Sequence, residues 1–149
     1  MRLRTCEYHV FFTQLSIHTY GSISPDYIED YSLYEFYLES SDIDRLFNEV
    51  QNGTAVKEID EYDLDIRVKI ICQDTNQIIY ITKTKQVASD GKLYAVRENT
   101  LNNAVMAIMD KAMESECKDP DKFMCLDKSS YSLDVEDLIG TKAPYVLPE

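Results

Sequence analysis

The chain has 149 residues, a net charge of −12 and a sequence pI near 4.5. Its 44% hydrophobic and 28% charged residues, with only four Gly and four Pro, exclude a disordered or low-complexity chain and suit one domain with a real core. So acidic a balance also argues against direct binding to nucleic acid, which depends on Lys and Arg neutralising phosphates.

Residues 1–6 carry Arg2 and Arg4 but no apolar stretch of the kind a signal peptide needs, so none is read there. No apolar run approaches 18 residues, and no membrane span or membrane binding is expected. Residues 7–20 are rich in aromatic and β-branched side chains and predict a strand. Residues 21–25, with Gly21 and Pro25, predict a loop. In residues 31–39, Tyr34, Phe36 and Leu38 alternate with Glu35, Tyr37 and Glu39; this period of two favours a strand over a helix.

Ser40 or Ser41 is placed to cap a helix. Ile43, Leu46, Phe47 and Val50 form one apolar stripe, Asp42 and Asp44 lie in the first turn, and Asn52-Gly53 ends the helix. Residues 64–72 and 77–85 predict a hairpin. With Thr75-Asn76 at the turn centre, partners sum to 151: Ile70 faces Ile81 and Cys72 faces Ile79. Ile66, Val68, Ile70, Cys72, Ile79 and Ile81 then share a buried face. Arg67, Lys69, Ile71, Tyr80, Thr82 and Thr84 share the other.

Asp90-Gly91 signals a type I′ turn, making residues 93–97 a third strand of the meander. Asn99 or Thr100 is placed to cap a second helix, with Leu101, Ala104, Val105, Ile108, Ala112 and Met113 as its stripe. Residues 118–149 read as an irregular C-terminal segment, docked or partly disordered, with one helical turn near Val135–Ile139. These elements define an α+β fold: one domain, built on an antiparallel sheet of about five strands with two helices packed on one face.

Chemical motifs are few. Cys6, Cys72, Cys117 and Cys125 have no Cys-x-x-Cys spacing and read as four free thiols in a reducing, cytoplasmic setting. His9 and His18 are separated by an odd number and point to opposite faces if they share a strand, so they do not form a pair for acid–base or metal chemistry. Gly at 21, 53, 91 and 140 writes neither a phosphate-binding loop nor a dinucleotide fingerprint. The run Glu58 to Asp65 offers carboxylates at alternating positions but lacks the central glycine of an EF-hand loop. No catalytic residue, cofactor or metal is therefore expected. Asn52-Gly-Thr54 matches a glycosylation sequon but reads as a turn.

Charge placement is the remaining signal. Thirteen of the forty residues 26–65 are acidic and only Arg45 and Lys57 are basic, a local charge of −11, while residues 66–97 carry a net +4. Asp26, Glu29 and Asp30 interleave with Tyr27 and Tyr31. Glu58, Asp60, Glu61, Asp63 and Asp65 interleave with Ile59 and Tyr62. Carboxylates beside Tyr suit a basic protein partner: the charge steers encounter, and Tyr supplies contact area at low entropic cost. The competing explanation is that the block neutralises the basic sheet within the fold.

In profile, though through no motif, the chain resembles bacterial immunity proteins against nuclease toxins and phage-encoded inhibitors of defence nucleases. That resemblance implies a non-enzymatic acidic inhibitor, mimicking nucleic acid, whose partner is a basic protein of the nuclease type. The alternative is a structural or assembly component of a phage or mobile element, docking on like subunits as a homo-oligomer. An enzyme with an acidic pocket ranks third.

Overall fold

The computed structural model describes residues 6–17, 19 and 21–149. The elements in chain order are β1 (Tyr8–Phe12), α1 (Ile28–Tyr31), β2 (Tyr34–Leu38), α2 (Ser41–Asn52), β3 (Ala55–Glu58), β4 (Ile66–Cys72), β5 (Ile78–Thr82), β6 (Val87–Ser89), β7 (Lys92–Tyr94), β8 (Val96–Arg97), α3 (Glu98–Met113), α4 (Lys128–Gly140) and β9 (Val146–Leu147). A 3-10 turn at Glu61–Asp63 precedes β4. The first seven strands form one antiparallel sheet in the order β2-β1-β4-β5-β6-β7-β3, while β8 and β9 pair in parallel at the C-terminal end. The fold is α+β as expected, with a larger sheet and one more long helix than the sequence suggested.

One sheet face is dry because every second residue on it is apolar. Val10, Phe12, Tyr34, Phe36, Val68, Ile70, Ile79 and Ile81 meet Leu46, Phe47, Leu101, Val105 and Ile108 from α2 and α3. The predicted stripe of α2 is the side that is buried, and Ser40 accepts from Ile43 N at 3.3 Å as its cap. Gly53 ends the helix for want of space: a Cβ there would lie 2.7 Å from the Glu49 carbonyl oxygen, while its φ of −89° is ordinary. Asp90 (φ 53°) and Gly91 (φ 73°) form the predicted left-handed turn between β6 and β7.

The β4–β5 hairpin forms, in a different register. Val68 faces Ile81, Ile70 faces Ile79 and Ile71 faces Ile78, so partners sum to 149 and not to 151. Cys72 N bonds the Gln77 carbonyl at 3.0 Å, which centres the turn on Asp74-Thr75, and Asn76 takes the left-handed conformation (φ 60°) that closes it. A change of two in the sum keeps each side chain on its face, so the alternation survives. Ile66 is the exception. A bulge between Ile66 and Val68 pairs Ile66 with Thr82 and turns its side chain to the opposite face.

That opposite face is a second core. Phe11, Ile23, Ile28, Leu64, Ile66, Tyr80, Ala88 and Leu93 form it, under α1 and the loops on either side of it. Of the residues that the sequence assigned to the face away from the helices, it buries Arg67, Lys69, Tyr80 and Thr82, while Ile71 is half-buried and Thr84 stays exposed. Arg67 is accommodated by ion pairing: its Nε and Nη2 reach the two Asp65 carboxylate oxygens at 3.2 and 3.1 Å, and Nη1 donates to the Ile17 carbonyl at 2.5 Å.

The cysteines are paired. Cys6, two residues before β1, joins Cys72 at the end of β4, and Cys117 joins Cys125 across a short loop. The free-thiol expectation is overturned because close approach of residues 66 apart in sequence is created by the sheet, not by local spacing. The C-terminal segment, read as irregular with one helical turn, holds the helix α4. Asp127 accepts from Ser129 N and Ser130 N, and Ser130 returns the bond to Asp127 N, a capping box that starts α4. Only Leu138 of this helix is buried, which is why no apolar stripe announced it.

The N-terminus of α3 departs from expectation in the same way. It begins at Glu98, and neither Asn99 nor Thr100 caps it. Carboxylates from elsewhere do: Glu49 accepts from Arg97 N at 2.9 Å and the C-terminal Glu149 accepts from Asn99 N at 3.3 Å. β1 covers only residues 8–12 of the predicted 7–20 strand, and the expectation for His18 lies outside the described residues.

Candidate functional site: an acidic, tyrosine-lined surface

The two acidic segments, some thirty residues apart in sequence, meet on the second face of the sheet. Ser24 starts the turn that leads into α1, Ile28 anchors that helix in the second core, and Tyr27 and Tyr31 stack outside it with ring centroids 5.6 Å apart. Asp60 accepts from Tyr62 N at 3.0 Å and so caps the 3-10 turn, which throws the Tyr62 ring outward. Tyr62 Oη then donates to Asp26 Oδ1 at 3.0 Å, joining the segments. Tyr27, Tyr31 and Tyr62 are each more than half exposed.

The block divides into carboxylates with internal work and carboxylates without. Asp65 pairs with Arg67, Glu29 lies 3.6 Å from Lys69 Nζ, and Glu61 accepts from Gly91 N at 3.1 Å. Within the same stretch of sequence, Asp44 is buried beneath Tyr8, whose hydroxyl donates to it at 2.5 Å, Glu35 pairs with His9 and Lys118, and Glu49 pairs with Arg97. Internal neutralisation therefore accounts for part of the charge. Asp30, Glu58 and Asp63 are exposed and make no side-chain hydrogen bond or ion pair among the described residues.

The field of this surface registers on two phenols. Burial pushes Tyr80 up to about 12, with Glu61, Glu29, Tyr62 and Asp26 adding to the rise. The hydrogen bond to Asp26 raises Tyr62. Both stay protonated at neutral pH, so Tyr62 is a hydrogen-bond donor to Asp26 there and not a base.

His9, one of the two histidines weighed for chemistry, sits on the same sheet face. Its Nε2 is 2.9 Å from Glu35 Oε2, and its ring stacks on Tyr37 with centroids 4.4 Å apart. The hydrogen bond from His9 holds the Glu35 carboxyl below its usual range, with Lys118 contributing. The arrangement is a sheet-face pair. Among the described residues no group of three or more His, Cys, Asp or Glu side chains converges to hold a metal, and no helix is long and apolar enough to cross a membrane.

Beside α1 lies a feature that sequence reasoning missed. An open apolar cleft of about 740 Å³ is lined by Thr13, Ile17, Ile23, Tyr31, Leu33 and Met124, among others. Met124 comes to it from the loop closed by Cys117–Cys125. Within that loop, Asp119 accepts from Asp121 N at 3.1 Å and Met124 N at 2.9 Å, bonds that draw its carboxyl below the usual range, and Phe123 stands 92% exposed. A Phe-Met pair beside two cysteines was the only local signal for this loop. Comparison with known protein families, characterised proteins and solved structures returns no match.

Proposed function

We propose that the protein is a non-enzymatic acidic binding protein that occupies the basic, nucleic-acid-binding surface of a partner and so blocks it, a nuclease being the partner type that fits best. The observation that carries this reading is the convergence of Asp26–Tyr31 and Glu58–Asp63, joined by the Tyr62–Asp26 hydrogen bond. Such a surface offers what a phosphate backbone offers a basic groove: closely spaced negative charge, with aromatic rings in place of bases.

Asp30, Glu58 and Asp63 provide the test because the fold does not use them. The triple variant Asp30→Lys, Glu58→Lys, Asp63→Lys changes the net charge by +6 and, as exposed charges contribute only ~0–1 kcal/mol each, leaves the melting temperature nearly unaltered. Wild-type protein immobilised against a lysate of the source cell is expected to retain a basic nuclease and to suppress its activity, in a salt-sensitive manner. The triple variant is expected to do neither. Equal retention and inhibition by the two proteins would remove the acidic surface from the mechanism.

A cytoplasmic site of action, expected from the sequence, rested on free thiols. With Cys6–Cys72 and Cys117–Cys125 formed, that assignment now depends on the thiol state of the protein in the cell, read by alkylation before lysis.

A further inference from the structure

The apolar cleft adjoins the acidic surface directly. Tyr31 belongs to both: it stacks on Tyr27 and lines the cleft. α1 has four residues, and Glu29 and Asp30 immediately precede the cleft-lining Tyr31 on it. Asp26 precedes the same helix.

Both walls are held in place. On one side, Asp65 accepts from Ile23 N at 3.0 Å, and the buried Arg67 ties Ile17 and Thr19 to the sheet. On the other, Gln14 Nε2 donates to the Met124 carbonyl at 3.2 Å, and Lys118 Nζ donates to the Glu29 carbonyl at 3.1 Å, joining the disulfide-closed loop to α1. Tyr31 and Met124 line the cleft, Tyr27 stacks on Tyr31, and all three are among the exposed large apolar side chains. Exposed aromatic and Met side chains beside a preformed cleft, with the carboxylates of α1 along one side, have the composition of a hot spot with a polar rim.

We infer that the cleft receives one bulky apolar side chain of the partner, carried on a segment whose flanking Lys or Arg residues pair with Asp26, Glu29 and Asp30. This rests on the acidic surface being the docking face, and adds that recognition is bipartite. Charge complementarity selects the occupant: an apolar side chain entering past α1 brings its neighbours against Asp26, Glu29 and Asp30, which favours basic flanks over acidic ones. The chain itself, at −12, repels a second copy.

The protein has no Trp, so a Trp-bearing probe reports its own environment. Two synthetic peptides serve: heptalysine, and the same peptide with its central residue replaced by Trp. At low salt both are expected to bind. As salt screens the charges, heptalysine is expected to dissociate while the Trp peptide keeps an advantage of about tenfold with blue-shifted emission, the increment of burying one aromatic side chain.

Ser22 is exposed and lines the cleft, so Ser22→Phe fills it without altering charge. That variant is expected to bind heptalysine as wild type does and to lose the Trp increment. If both peptides bind equally with unshifted emission, or if Ser22→Phe leaves the increment intact, the cleft proposal is overturned and the acidic reading stands. If neither peptide binds at any salt, the acidic reading fails and the proposal with it. Self-association of wild-type protein that Ser22→Phe abolishes would put a second copy in the cleft and overturn the basic segment.

Discussion

Removing the Cys6–Cys72 bridge should cost more than removing Cys117–Cys125, and by an amount set by loop length. The first links residues 66 apart and the second residues 8 apart. Chain-closure entropy for loops of these lengths gives about 4 kcal/mol and about 2.5 kcal/mol respectively at 25 °C. The core bridge carries an extra term, because Cys6 and Cys72 are both buried and Ala in their place leaves small voids. For a chain of this size, about 4 kcal/mol is a large share of a total near 5–15 kcal/mol and lowers Tm by roughly 8–16 °C.

The assay is denaturant unfolding of wild type, Cys6→Ala/Cys72→Ala and Cys117→Ser/Cys125→Ser, each with and without reductant. Reductant should collapse wild type towards the doubly bridgeless state and should move each double variant only by its remaining bridge. Thiol titration of denatured, unreduced wild type should count none, and four after reduction. Four thiols without reductant, or a short bridge worth more than the long one, would refute the reasoning.

Two further outcomes follow from buried polar groups. Lys85 is almost fully buried, with Nζ 2.7 Å from Glu98 Oε1 and donating to the carbonyls of Leu138 and Thr141 at 2.8 and 2.7 Å, so it secures the C-terminal end of α4. Lys85→Met should destabilise by about 3–5 kcal/mol, since Glu98 is left without its cation, and should speed amide exchange in residues 138–143; a loss under about 1 kcal/mol would contradict this. Tyr80 titrates near 12, above the ordinary value of 10, chiefly through burial. A raised pKa means that its stabilisation is complete below pH 10 and is lost as pH rises through 12, by about 1–3 kcal/mol. Tyr80→Phe should flatten the alkaline limb of the stability curve by that amount, and an unchanged limb in pH-dependent denaturation would show that another group controls it.

Features that depend on near neighbours could be read directly from the chain. The stripe of α2 and its Ser40 cap, the alternation in residues 66–72 and 78–82, and the Asp90-Gly91 turn all express periodicities or φ preferences that a few adjacent residues impose. The concentration of acid between residues 26 and 65 was equally legible. Folding alone established which strands are neighbours, that a bulge sends Ile66 into a second core, that Arg67 and Lys85 lie inside with partners, and that all four cysteines pair. It also brought Asp26 to Tyr62 and set Met124 opposite Ile23 to make the cleft. The physical reason is the same in each case. A helix face or a strand alternation is settled by residues two to four apart, whereas a disulfide, a buried ion pair or a two-segment surface exists only once the sheet has closed loops of tens of residues, and no local pattern records which closure that is.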